Sequence, residues 1–417
     1  MTQKQHDVLI IGAGVIGLAC ALYLLRAGRS VIVVDQGRVG GGASHGNCGT
    51  ITPSHAPPLA MPGLPLKALR WMLQADAPFY IKPRCDMTLL AWLWRFTRHC
   101  NWDDFHRIGK IKAQLLKHAR TELEELIRTE NLQCEFQCSG TLSVFRDQNN
   151  FDATSWLPQS LQRYGLDIER LTATEARARE HALNDSIVGG YFIPGDAHLR
   201  PEQYVSELAR AVRAAEGEIL EASSVQEFVL GRYGVESVVT VQGNLKAREV
   251  VLATGAWSPQ LAQQLDLFLP IQPGKGYSLT YDQPLLRLNV PLVLKERSVC
   301  VTSWANGFRL GSTMEFSGYD ATLNPQRLDA LRRAACEYLS ISLEGEARER
   351  WFGWRPMTFD DLPILGRVPH ISNLILATGH GMLGVTLSAI TGRLIAELVT
   401  EHESALDMKP FSLSRFK

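Results

Sequence analysis

The sequence predicts an α/β protein in which a parallel-sheet domain is interleaved with a second, α+β domain built on a mixed antiparallel sheet. Three observations lead to this fold class. A glycine-rich turn joins an apolar strand to a helix near the N-terminus, two further apolar strands end at glycine much later, and charged helices alternate with short strands between them. With 417 residues, the chain is longer than one hydrophobic core usually serves.

The first element is a complete βαβ unit. Residues 7–11 (DVLII) have the apolar pattern of a strand buried on both faces, and small and aliphatic residues then dominate from Val15 to Ala27, as in a buried helix. Gly28 supplies the positive φ of a helix C-cap, and residues 30–35 (SVIVVD) form the second strand. The first domain is therefore predicted to be Rossmann-like.

The later elements divide between the two domains. Residues 37–65 are rich in Gly, Ser, Pro and Asn and predict an ordered loop, and the aromatic residues of 66–100 predict helices of an inserted domain. Charge patterns predict helices at 107–128 and 200–215, and apolar runs predict strands at 140–145, 189–193, 249–254, 278–281 and 374–378. We assign residues 1–65, 180–270 and 350–417 to the Rossmann-like domain, and 66–179 and 271–349 to the second domain.

Composition and charge exclude several classes of protein. The chain has 45% hydrophobic and 21% charged residues, as globular proteins do, and its 43 basic and 43 acidic residues cancel. It has no basic run that would follow a phosphate backbone, so no nucleic-acid partner is expected. The eight cysteines lack CxxC spacing and the histidines lack HxxxH or HExxH spacing, so we expect a cytoplasmic protein with reduced thiols and no metal site.

The turn of the βαβ unit carries a dinucleotide-binding fingerprint. It reads I-G-A-G-V-I-G from Ile11, in which Gly12 permits the tight turn, Gly14 lets a pyrophosphate approach the backbone, and Gly17 allows the helix to pack on the strand. The helix N-terminus offers N–H groups to the anion, and Asp35 is placed to accept hydrogen bonds from a ribose hydroxyl. Both FAD and NAD fit this fingerprint.

Further motifs extend over nearly the whole chain. They are G-A-S-x-G-N-C-G-T-I-T-P from Gly42, P-G-L-P-L-K-A-L-R-W-M from Pro62, A-T-G-A-W-S from Ala253, G-K-G-Y-S-L-T from Gly274, G-W-R-P-M-T from Gly353, D-L-P-I-L-G from Asp361 and A-T-G-H-G-M-L-G from Ala377. Together with the fingerprint, these motifs resemble the glycine oxidase and D-amino acid oxidase (DAO) family of flavoproteins. Within that family they resemble the bacterial D-amino acid dehydrogenases most closely. The resemblance implies FAD as the cofactor and an amino acid as the substrate. Cys48 departs from the dehydrogenase pattern, in which a small residue is usual at this place.

The resemblance and the glycine-rich loops together predict the cofactor site. The loop from Ala43 to Gly49 is expected to wrap the pyrophosphate and the flavin, although Ser44 and Asn47 are equally typical of plain turns. The segment from Thr378 (TGHGMLG) precedes a helical stretch, whose N-terminus stabilises negative charge on a reduced flavin. The predicted cofactor-binding residues are Gly12, Gly14, Val15, Ile16, Gly17, Asp35, Gln36, Ala43, Ser44, Asn47, Cys48, Gly49, Val225, Thr254, Gly255, Trp257, Gly379, Gly381, Met382, Leu383 and Gly384.

Arg355 is predicted to bind the substrate. The resemblance makes it the arginine that holds the substrate carboxylate, and a planar guanidinium with two parallel N–H donors suits that task. The alternative is a buried salt bridge to Asp360 or Asp361, because charged residues this close in sequence often pair.

Three further residues complete the predicted site. Tyr277 is a candidate hydroxyl donor to the substrate, His55 a candidate at the mouth of the site, and His380 a candidate donor to the flavin ring. The alternatives are packing within a strand for Tyr277, simple exposure on a loop for His55, and packing beneath the ring for His380.

The expected reaction is oxidative deamination of a free amino acid by hydride transfer from its α-carbon to flavin N5. The motifs are common to oxidases and dehydrogenases, so oxygen and a quinone are both open as electron acceptor. Residues 65–100 combine three tryptophans with six basic residues, which is compatible with peripheral contact at the inner face of the cell membrane, although aromatic helices mostly pack in cores. Proline or hydroxyproline isomers, L-amino acids, and a non-catalytic dinucleotide-binding role stay open as alternatives.

Overall fold

The computed structural model describes residues 5–72, 78–232, 234–282, 287–341, 343 and 345–416, and residues 73–77 of the predicted aromatic segment lie outside the described residues. The helices are α1 (Val15–Arg26), α2 (Leu64–Trp71), α3 (Met87–His99), α4 (Trp102–Thr129), α5 (Gln148–Ala153), α6 (Leu157–Arg163), α7 (Ala173–Arg179), α8 (Pro201–Ala214), α9 (Ser258–Gln263), α10 (Pro325–Tyr338) and α11 (Gly384–Val399). The strands are β1 (His6–Ile11), β2 (Val31–Val34), β3 (Thr50–Ile51), β4 (Phe79–Ile81), β5 (Thr141–Phe145), β6 (Glu169–Thr172), β7 (Gly189–Ile193), β8 (Ala197–His198), β9 (Glu218–Leu220), β10 (Val225–Leu230), β11 (Val235–Thr240), β12 (Gly243–Leu245), β13 (Ala247–Leu252), β14 (Ile271–Tyr281), β15 (Leu292–Leu294), β16 (Val299–Trp304), β17 (Gly307–Phe316), β18 (Glu349–Thr358), β19 (Ile364–Val368) and β20 (Ile371–Thr378).

The first sheet is the predominantly parallel sheet of the Rossmann-like domain. Its strand order is β19-β20-β13-β1-β2-β9, and each neighbouring pair except β19 and β20 is parallel. β1 and β2 are almost completely buried, as expected for strands covered on both faces. The predicted strands at 249–254 and 374–378 correspond to β13 and β20, which end side by side because Leu252 is paired with Leu376.

Helices cover one face of this sheet, and a small sheet covers the other. α1 packs against α8 and α11, and α11 packs also against α4. Val8 and Ile10 of β1 share an apolar cluster with these helices, whereas Leu9 and Ile11 share one with residues of the β10-β11-β12 sheet. Because successive residues of a strand point to opposite faces, the alternation anchors β1 on both sides.

The second sheet has nine strands among the described residues and frames the other domain. Its order is β18-β14-β17-β16-β15-β5-β7-β6, with β4 paired to β17. The β15-β5 and β17-β4 pairs are parallel, and the other pairs are antiparallel. Helix α10 packs on β14, β16 and β17. This is a mixed, mostly antiparallel sheet of the kind that the sequence predicts.

Sheet membership departs from the predicted domain boundaries in three places. β7 and β18 belong to the nine-stranded sheet, although the predicted boundaries put nearly all of both in the Rossmann-like domain. Helix α4, predicted to lie in the second domain, packs in the core of the parallel sheet through Leu115, Ala119 and Leu123. An amphipathic pattern shows which face of an element is buried, but not which sheet covers that face.

A cavity of about 1430 Å³ lies between the two sheets. From the parallel sheet it is bordered by the carboxyl ends of β1 and β2 and by the residues that follow β13, and from the nine-stranded sheet by residues of β5 and β14 to β18. Ligands of open α/β sheets bind at the carboxyl ends of the strands, so the fold places the candidate site here.

Candidate active site

The turn between β1 and α1 forms one end of the cavity. Gly12 has a φ of +110°, and a Cβ atom there would lie 2.6 Å from the carbonyl oxygen of Ala253. A Cβ atom on Gly17 would lie 1.8 Å from the carbonyl oxygen of Gly12, so α1 approaches the turn only because both residues are glycine. The N-cap is Gly14, which has no side chain to cap the helix. The first N–H groups of this helix, other than that of Val15, which donates to Ser44 Oγ, are therefore available to an anion.

Asp35 and Ser44 hold this end of the cavity in shape. The carboxylate of Asp35, just after β2, accepts hydrogen bonds from the N–H groups of Ala13 at 2.7 Å and Gly37 at 2.8 Å. Ser44 Oγ accepts a hydrogen bond from the N–H of Val15 at 3.0 Å. The acid of the fingerprint thus ties the glycine turn to the end of β2, and the Ser44 hydroxyl lies at the anion site.

The loop that follows Ala43 is braced by the side chain of Asn47. Asn47 Nδ2 donates to the carbonyl oxygens of Ala43 and Ser44, both at 3.1 Å, and Asn47 Oδ1 accepts from the N–H of Gly49 at 2.9 Å. Gly49 has a φ of +67°, and a Cβ atom there would lie 1.9 Å from the carbonyl oxygen of Leu199. Asn47 therefore shapes the loop, and its contact with a cofactor stays a prediction.

An arginine that the sequence analysis missed clamps the same loop. Arg309 is fully buried, and its Nη1 donates to the carbonyl oxygens of Asn47 at 2.8 Å and His45 at 3.4 Å. The same atom lies 3.2 Å from Glu202, and Glu349 accepts a hydrogen bond from His45 at 2.7 Å. No motif marks Arg309, because its partners come from separate segments of the chain.

Two of the motifs meet where β13 and β20 end. The Ser258 and Thr378 hydroxyls are hydrogen-bonded at 2.7 Å, Thr378 Oγ1 donates to the carbonyl oxygen of Gly255 at 3.1 Å, and Thr254 Oγ1 lies 3.1 Å from Ser258 Oγ. Gly255 and Trp257 border the cavity. A chain of hydroxyl groups at one wall of the cavity therefore joins the two motifs, A-T-G-A-W-S and A-T-G-H-G-M-L-G.

Helix α11 directs its N-terminus at the cavity. Gly381 and Gly384 border the cavity, and the N-cap, Leu383, makes no side-chain hydrogen bond. His380 is buried, with its Nε2 hydrogen-bonded to Thr391 Oγ1 of the same helix at 3.0 Å. Burial lowers the pKa of His380 to about 3, so its imidazole is neutral at neutral pH. Positive potential on this side of the cavity comes from the helix and not from the histidine.

Arg355 borders the cavity without a carboxylate partner in the part of the chain that the structure describes. The salt bridge considered from the sequence is not formed. Asp360 accepts hydrogen bonds from Arg415, the shorter at 2.7 Å, and Asp361 pairs with Lys112. Both acids are therefore committed elsewhere, and the charge of Arg355 is free to bind an anion.

The guanidinium of Arg355 is held above β14. Its Nη1 donates to the carbonyl oxygen of Thr313 at 2.9 Å, and a Cβ atom on Gly276 would lie 2.2 Å from Nη1. Glycine at 276 thus makes the room that the guanidinium occupies. Burial lowers the pKa of Arg355, with Cys48 acting in the opposite direction, but an arginine stays charged at neutral pH.

The hydroxyl of Tyr277 has a different partner from the one predicted. It donates to Glu315 at 3.1 Å, and the ring packs in an apolar cluster with Leu328 and Leu331 of α10. Burial, then Glu315, raises the pKa of Tyr277. Tyr277 does border the cavity, but its hydroxyl is engaged, so no contact supports a role as donor to the substrate.

His55 borders the cavity near a carboxyl group that the sequence analysis missed. Its side chain is exposed within the cavity, where separation from bulk water, then repulsion by two lysines, lowers the pKa of His55 to about 4.

Asp196 is fully buried and accepts hydrogen bonds from Ser54 Oγ at 2.6 Å and Thr141 Oγ1 at 2.7 Å. Burial raises the pKa of Asp196 to about 6 against these hydrogen bonds. Beside Gly195, it has the sequence pattern of an ordinary turn.

Cys48 brings a thiol close to Arg355. Its Sγ lies 3.8 Å from the carbonyl oxygen of Cys300, and a Cβ atom on Gly311 would lie 2.6 Å from that Sγ. A hydrogen bond from the Cys300 thiol lowers the pKa of Cys48, and Arg309 and Arg355 lower it further. The departure from the dehydrogenase pattern thus changes the wall of the cavity itself.

Most of the predicted residues border this one cavity. Three do not: Gly17 packs against the turn, Gly379 lies beside Thr358 and Ile364, and Leu383 is buried in the core. No arrangement of three or more His, Cys, Asp or Glu that could hold a metal ion occurs within the described ranges. The predicted residues that border the cavity are Gly12, Gly14, Val15, Ile16, Asp35, Gln36, Ala43, Ser44, Asn47, Cys48, Gly49, His55, Val225, Thr254, Gly255, Trp257, Tyr277, Arg355, His380, Gly381, Met382 and Gly384.

Comparison with known sequences identifies relatives over the full length. The profile of the DAO family, described as FAD dependent oxidoreductase, matches residues 7–398. The chain is 33% identical to the D-amino acid dehydrogenase of Granulibacter bethesdensis, over 98% of this chain and 99% of that protein. It is 35% identical to the D-amino acid dehydrogenase of Paramagnetospirillum magneticum, over 98% of both.

Solved structures have the same fold. The glycine oxidase of Geobacillus kaustophilus superposes with a TM-score of 0.78 at 26% identity, over 99% of both chains. The glycine oxidase of Bacillus cereus superposes with a TM-score of 0.76 at 21% identity, over 96% of both chains. Both sheets are thus part of the common fold.

Proposed function

The chain belongs to the DAO family of FAD-dependent oxidoreductases, and from this premise we propose that it is an amino acid dehydrogenase that oxidises a D-amino acid. The observation that carries the proposal is Arg355, a guanidinium in the cavity with no acidic partner among the described residues. A carboxylate of the substrate is the partner that this geometry favours. The D-amino acid dehydrogenases to which the chain is similar support the choice of hand.

The residues present fit FAD. The N-terminus of α1 and the Ser44 hydroxyl suit a pyrophosphate, and Asp35 suits a ribose. One cavity extends from Asp35 to Gly384 at the start of α11. When bound, FAD supplies the acceptor for a hydride and its two electrons.

Arg355 binds and orients the substrate in this proposal. Two N–H groups of one planar guanidinium face the two oxygens of a carboxylate, while the carbonyl oxygen of Thr313 fixes the plane of the guanidinium. The α-carbon is thereby held in one orientation for removal of its hydrogen as hydride. Because the guanidinium is only partly exposed, its attraction for a carboxylate is stronger than in bulk water.

The N-terminus of α11 stabilises the charge that develops during the reaction. It carries about half a positive charge, and Gly384 in its first turn borders the cavity. Negative charge that builds up on this side of the cavity is stabilised without rearrangement of the protein. His380 is neutral and hydrogen-bonded to Thr391, so we assign it a packing role and not that of a proton donor.

The proposal is tested by anaerobic absorbance spectra of the purified protein, mixed in turn with D-amino acids, L-amino acids, and proline and hydroxyproline isomers. We expect the flavin band to bleach with D-amino acids. Bleaching by L-amino acids alone would reverse the hand, and bleaching by proline or hydroxyproline alone would make the reaction that of a cyclic imino acid dehydrogenase. A yellow protein that no amine reduces would contradict the proposal.

An exposed apolar surface beside the cavity is relevant to which molecule accepts the electrons. Helix α2 has no buried residue, and its Lys67, Ala68 and Trp71 border the cavity. No helix among the described residues has the length and apolar character needed to cross a membrane. On α2, Arg70 follows exposed Leu66 (69%) and Leu69 (63%), and on α3, where Met87 (79%) and Leu90 (54%) are exposed, Arg98 lies over the ring of exposed Trp94 (60%).

We infer that this surface of α2 and α3 contacts a lipid bilayer and that a membrane quinone accepts the electrons, because apolar and basic side chains are combined there as on interfacial helices. The test is cosedimentation with vesicles that contain anionic lipid. We expect binding that Leu66→Glu with Leu69→Glu abolishes, and that Leu230→Glu, exposed on β10, leaves unchanged. Equal binding by all three proteins, or faster turnover with oxygen than with a quinone analogue, would contradict this assignment.

A further inference from the structure

A second cation borders the cavity, away from the arginine that binds the carboxylate. Lys295 follows β15, and no carboxylate within the described ranges forms an ion pair with its ammonium. Its acidic neighbour Glu296 is engaged elsewhere, by the N–H groups of Arg146 and Asp147, both at 3.1 Å, and by the hydroxyl of Tyr338. The charge of Lys295 is thus available to a ligand.

The surroundings of Lys295 suit an anion. Ser143 borders the cavity on the neighbouring strand, and Lys67 on α2 also borders it and adds positive potential. Burial, then Lys67, lowers the pKa of Lys295. Asp196 borders the cavity as well, but its carboxyl oxygens accept hydrogen bonds from two hydroxyl groups, and His55 is neutral at pH 7 because its pKa is lowered to about 4.

The nine-stranded sheet places Lys295 and Arg355 on the same face. A row of paired residues crosses β17, β16, β15 and β5, and all of them border the cavity: Gly311, Cys300, Val293 and Ser143. Lys295 lies two residues beyond Val293 and therefore on the same face. Arg355 donates to Thr313 on β17. β17 and β15 are two strand spacings apart, which is about 10 Å.

We propose that Lys295 binds a second anionic group of the substrate, so that the protein prefers an acidic amino acid to a neutral one. This inference rests on the proposed function, in which Arg355 holds the α-carboxylate. A five-carbon dicarboxylate spans about 5 Å between its end carbons, and a charge-assisted hydrogen bond at each end adds about 2.8 Å. The total is close to the two strand spacings between β17, whose Thr313 carbonyl oxygen holds the Arg355 guanidinium, and β15, which Lys295 follows.

The test compares glutamate with glutamine, which have nearly the same shape, in the enantiomer that reduces the flavin. We expect kcat/KM of the unaltered protein to be at least about 10-fold higher for glutamate. Lys295→Met lowers kcat/KM for glutamate by about 10- to 100-fold and leaves glutamine nearly unchanged, while Lys295→Arg retains the preference. The matched control is Lys110→Met, on the exposed face of α4, which changes neither substrate.

A binding measurement without turnover supports the kinetics. Glutarate has two carboxylates and butyrate one, and each perturbs the flavin absorbance when it occupies the site. We expect Lys295→Met to weaken the binding of glutarate and not that of butyrate. If Lys295→Met does not hold FAD, the glutamate-to-glutamine ratios of the unaltered protein and of Lys295→Arg decide the question.

The outcomes separate this inference from the proposed function. Equal kcat/KM for glutamate and glutamine, or an equal loss for both in Lys295→Met, overturns the role of Lys295. Reduction of the flavin by neutral amino acids and not by glutamate overturns it too, while amino acid oxidation stands. If no amino acid reduces the flavin, both proposals fail.

Discussion

Arg355 differs from Arg309 and Arg415 in what surrounds its charge. Arg309 is paired with Glu202, and Arg415 with Asp360, whereas Arg355 donates to a carbonyl oxygen. An ion pair satisfies its own charges, but a partly buried guanidinium that bonds only a neutral acceptor keeps part of its charge for a ligand. This single difference separates a binding residue from a structural one.

Arg355→Lys tests this role at the residue scale. We expect kcat/KM for the amino acid substrate to fall about 10- to 100-fold, because an ammonium keeps the charge but lacks the planar pair of donors. Steady-state kinetics measure the effect. Arg350→Lys is the matched control, since Arg350 lies on the same strand but is exposed. Full activity of Arg355→Lys would show that a carboxylate is not held there.

The low pKa of His380 makes stability depend on pH. The imidazole of an unfolded chain has a pKa of about 6.5, and burial lowers that of His380 to about 3. Below pH 6.5 the unfolded state therefore binds a proton that the folded state does not, and stability falls as the pH falls.

His380→Gln measures this contribution. Relative to the variant, the unaltered protein should lose about 2 kcal/mol of unfolding free energy between pH 7.5 and pH 5. Urea unfolding of both proteins at the two pH values gives the difference. His402→Gln, at an exposed histidine, serves as control and should show no such change. A pH-independent difference for His380→Gln would mean that the pKa of His380 is the same in the folded state as in the unfolded state.

At the scale of elements, β14 explains why its motif alternates glycine with larger residues. A Cβ atom on Gly274 would lie 2.6 Å from Met314 Sδ, and one on Gly276 would lie 2.2 Å from Arg355 Nη1. Lys275 and Tyr277 alternate with these glycines and point to the opposite face, where the ring of Tyr277 packs against α10. One face of the strand thus leaves room for the site, and the other face packs in the core.

Gly276→Ala tests the role of this strand. The added methyl group meets the end of a flexible side chain and not backbone, so we expect the fold and the flavin content to be retained while the guanidinium is displaced. KM for the substrate should rise about 10-fold or more. The control is Gly195→Ala, where a Cβ atom would meet nothing within 4 Å. An unchanged KM would place the substrate carboxylate elsewhere.

At the scale of the whole molecule, the two sheets are coupled through what lies between them. The cavity is bordered by the parallel sheet on one side and by the nine-stranded sheet on the other, so a cofactor bound there contacts both. A ligand that binds only the folded state stabilises that state by mass action. Stability of the two domains should therefore depend jointly on FAD.

Removal of FAD tests this coupling. Addition of FAD to the apoprotein at 100 times its dissociation constant should raise the free energy of unfolding by about 2.7 kcal/mol. Thermal unfolding monitored by far-ultraviolet circular dichroism gives the shift, and NAD at the same concentration should give none. A shift with NAD alone would mean that the dinucleotide site selects the other cofactor.

The parts of the molecule that depend on local backbone geometry were predictable from the sequence. The fingerprint was readable because the φ of Gly12 and the contact of Gly17 with the Gly12 carbonyl oxygen impose glycine within seven residues of chain. Helix α11 was predictable for a similar reason, because the segment TGHGMLG marks where the helix begins. The boundaries of the domains were not, because nothing in the pattern of α4 or β18 shows which sheet each element joins.

The sequence by itself determined the Rossmann-like unit and a dinucleotide cofactor, and its resemblance to the DAO family implied FAD and made Arg355 a candidate. Only the tertiary structure decided what each charge in the site is paired with. Asp361 was available to Arg355 by proximity in sequence, but it pairs with Lys112, which is 249 residues away along the chain. Lys295 had no motif at all, yet the sheet places it in the same cavity. Charges pair according to distance in space, and that distance is set by how strands and helices pack and not by their order in the chain.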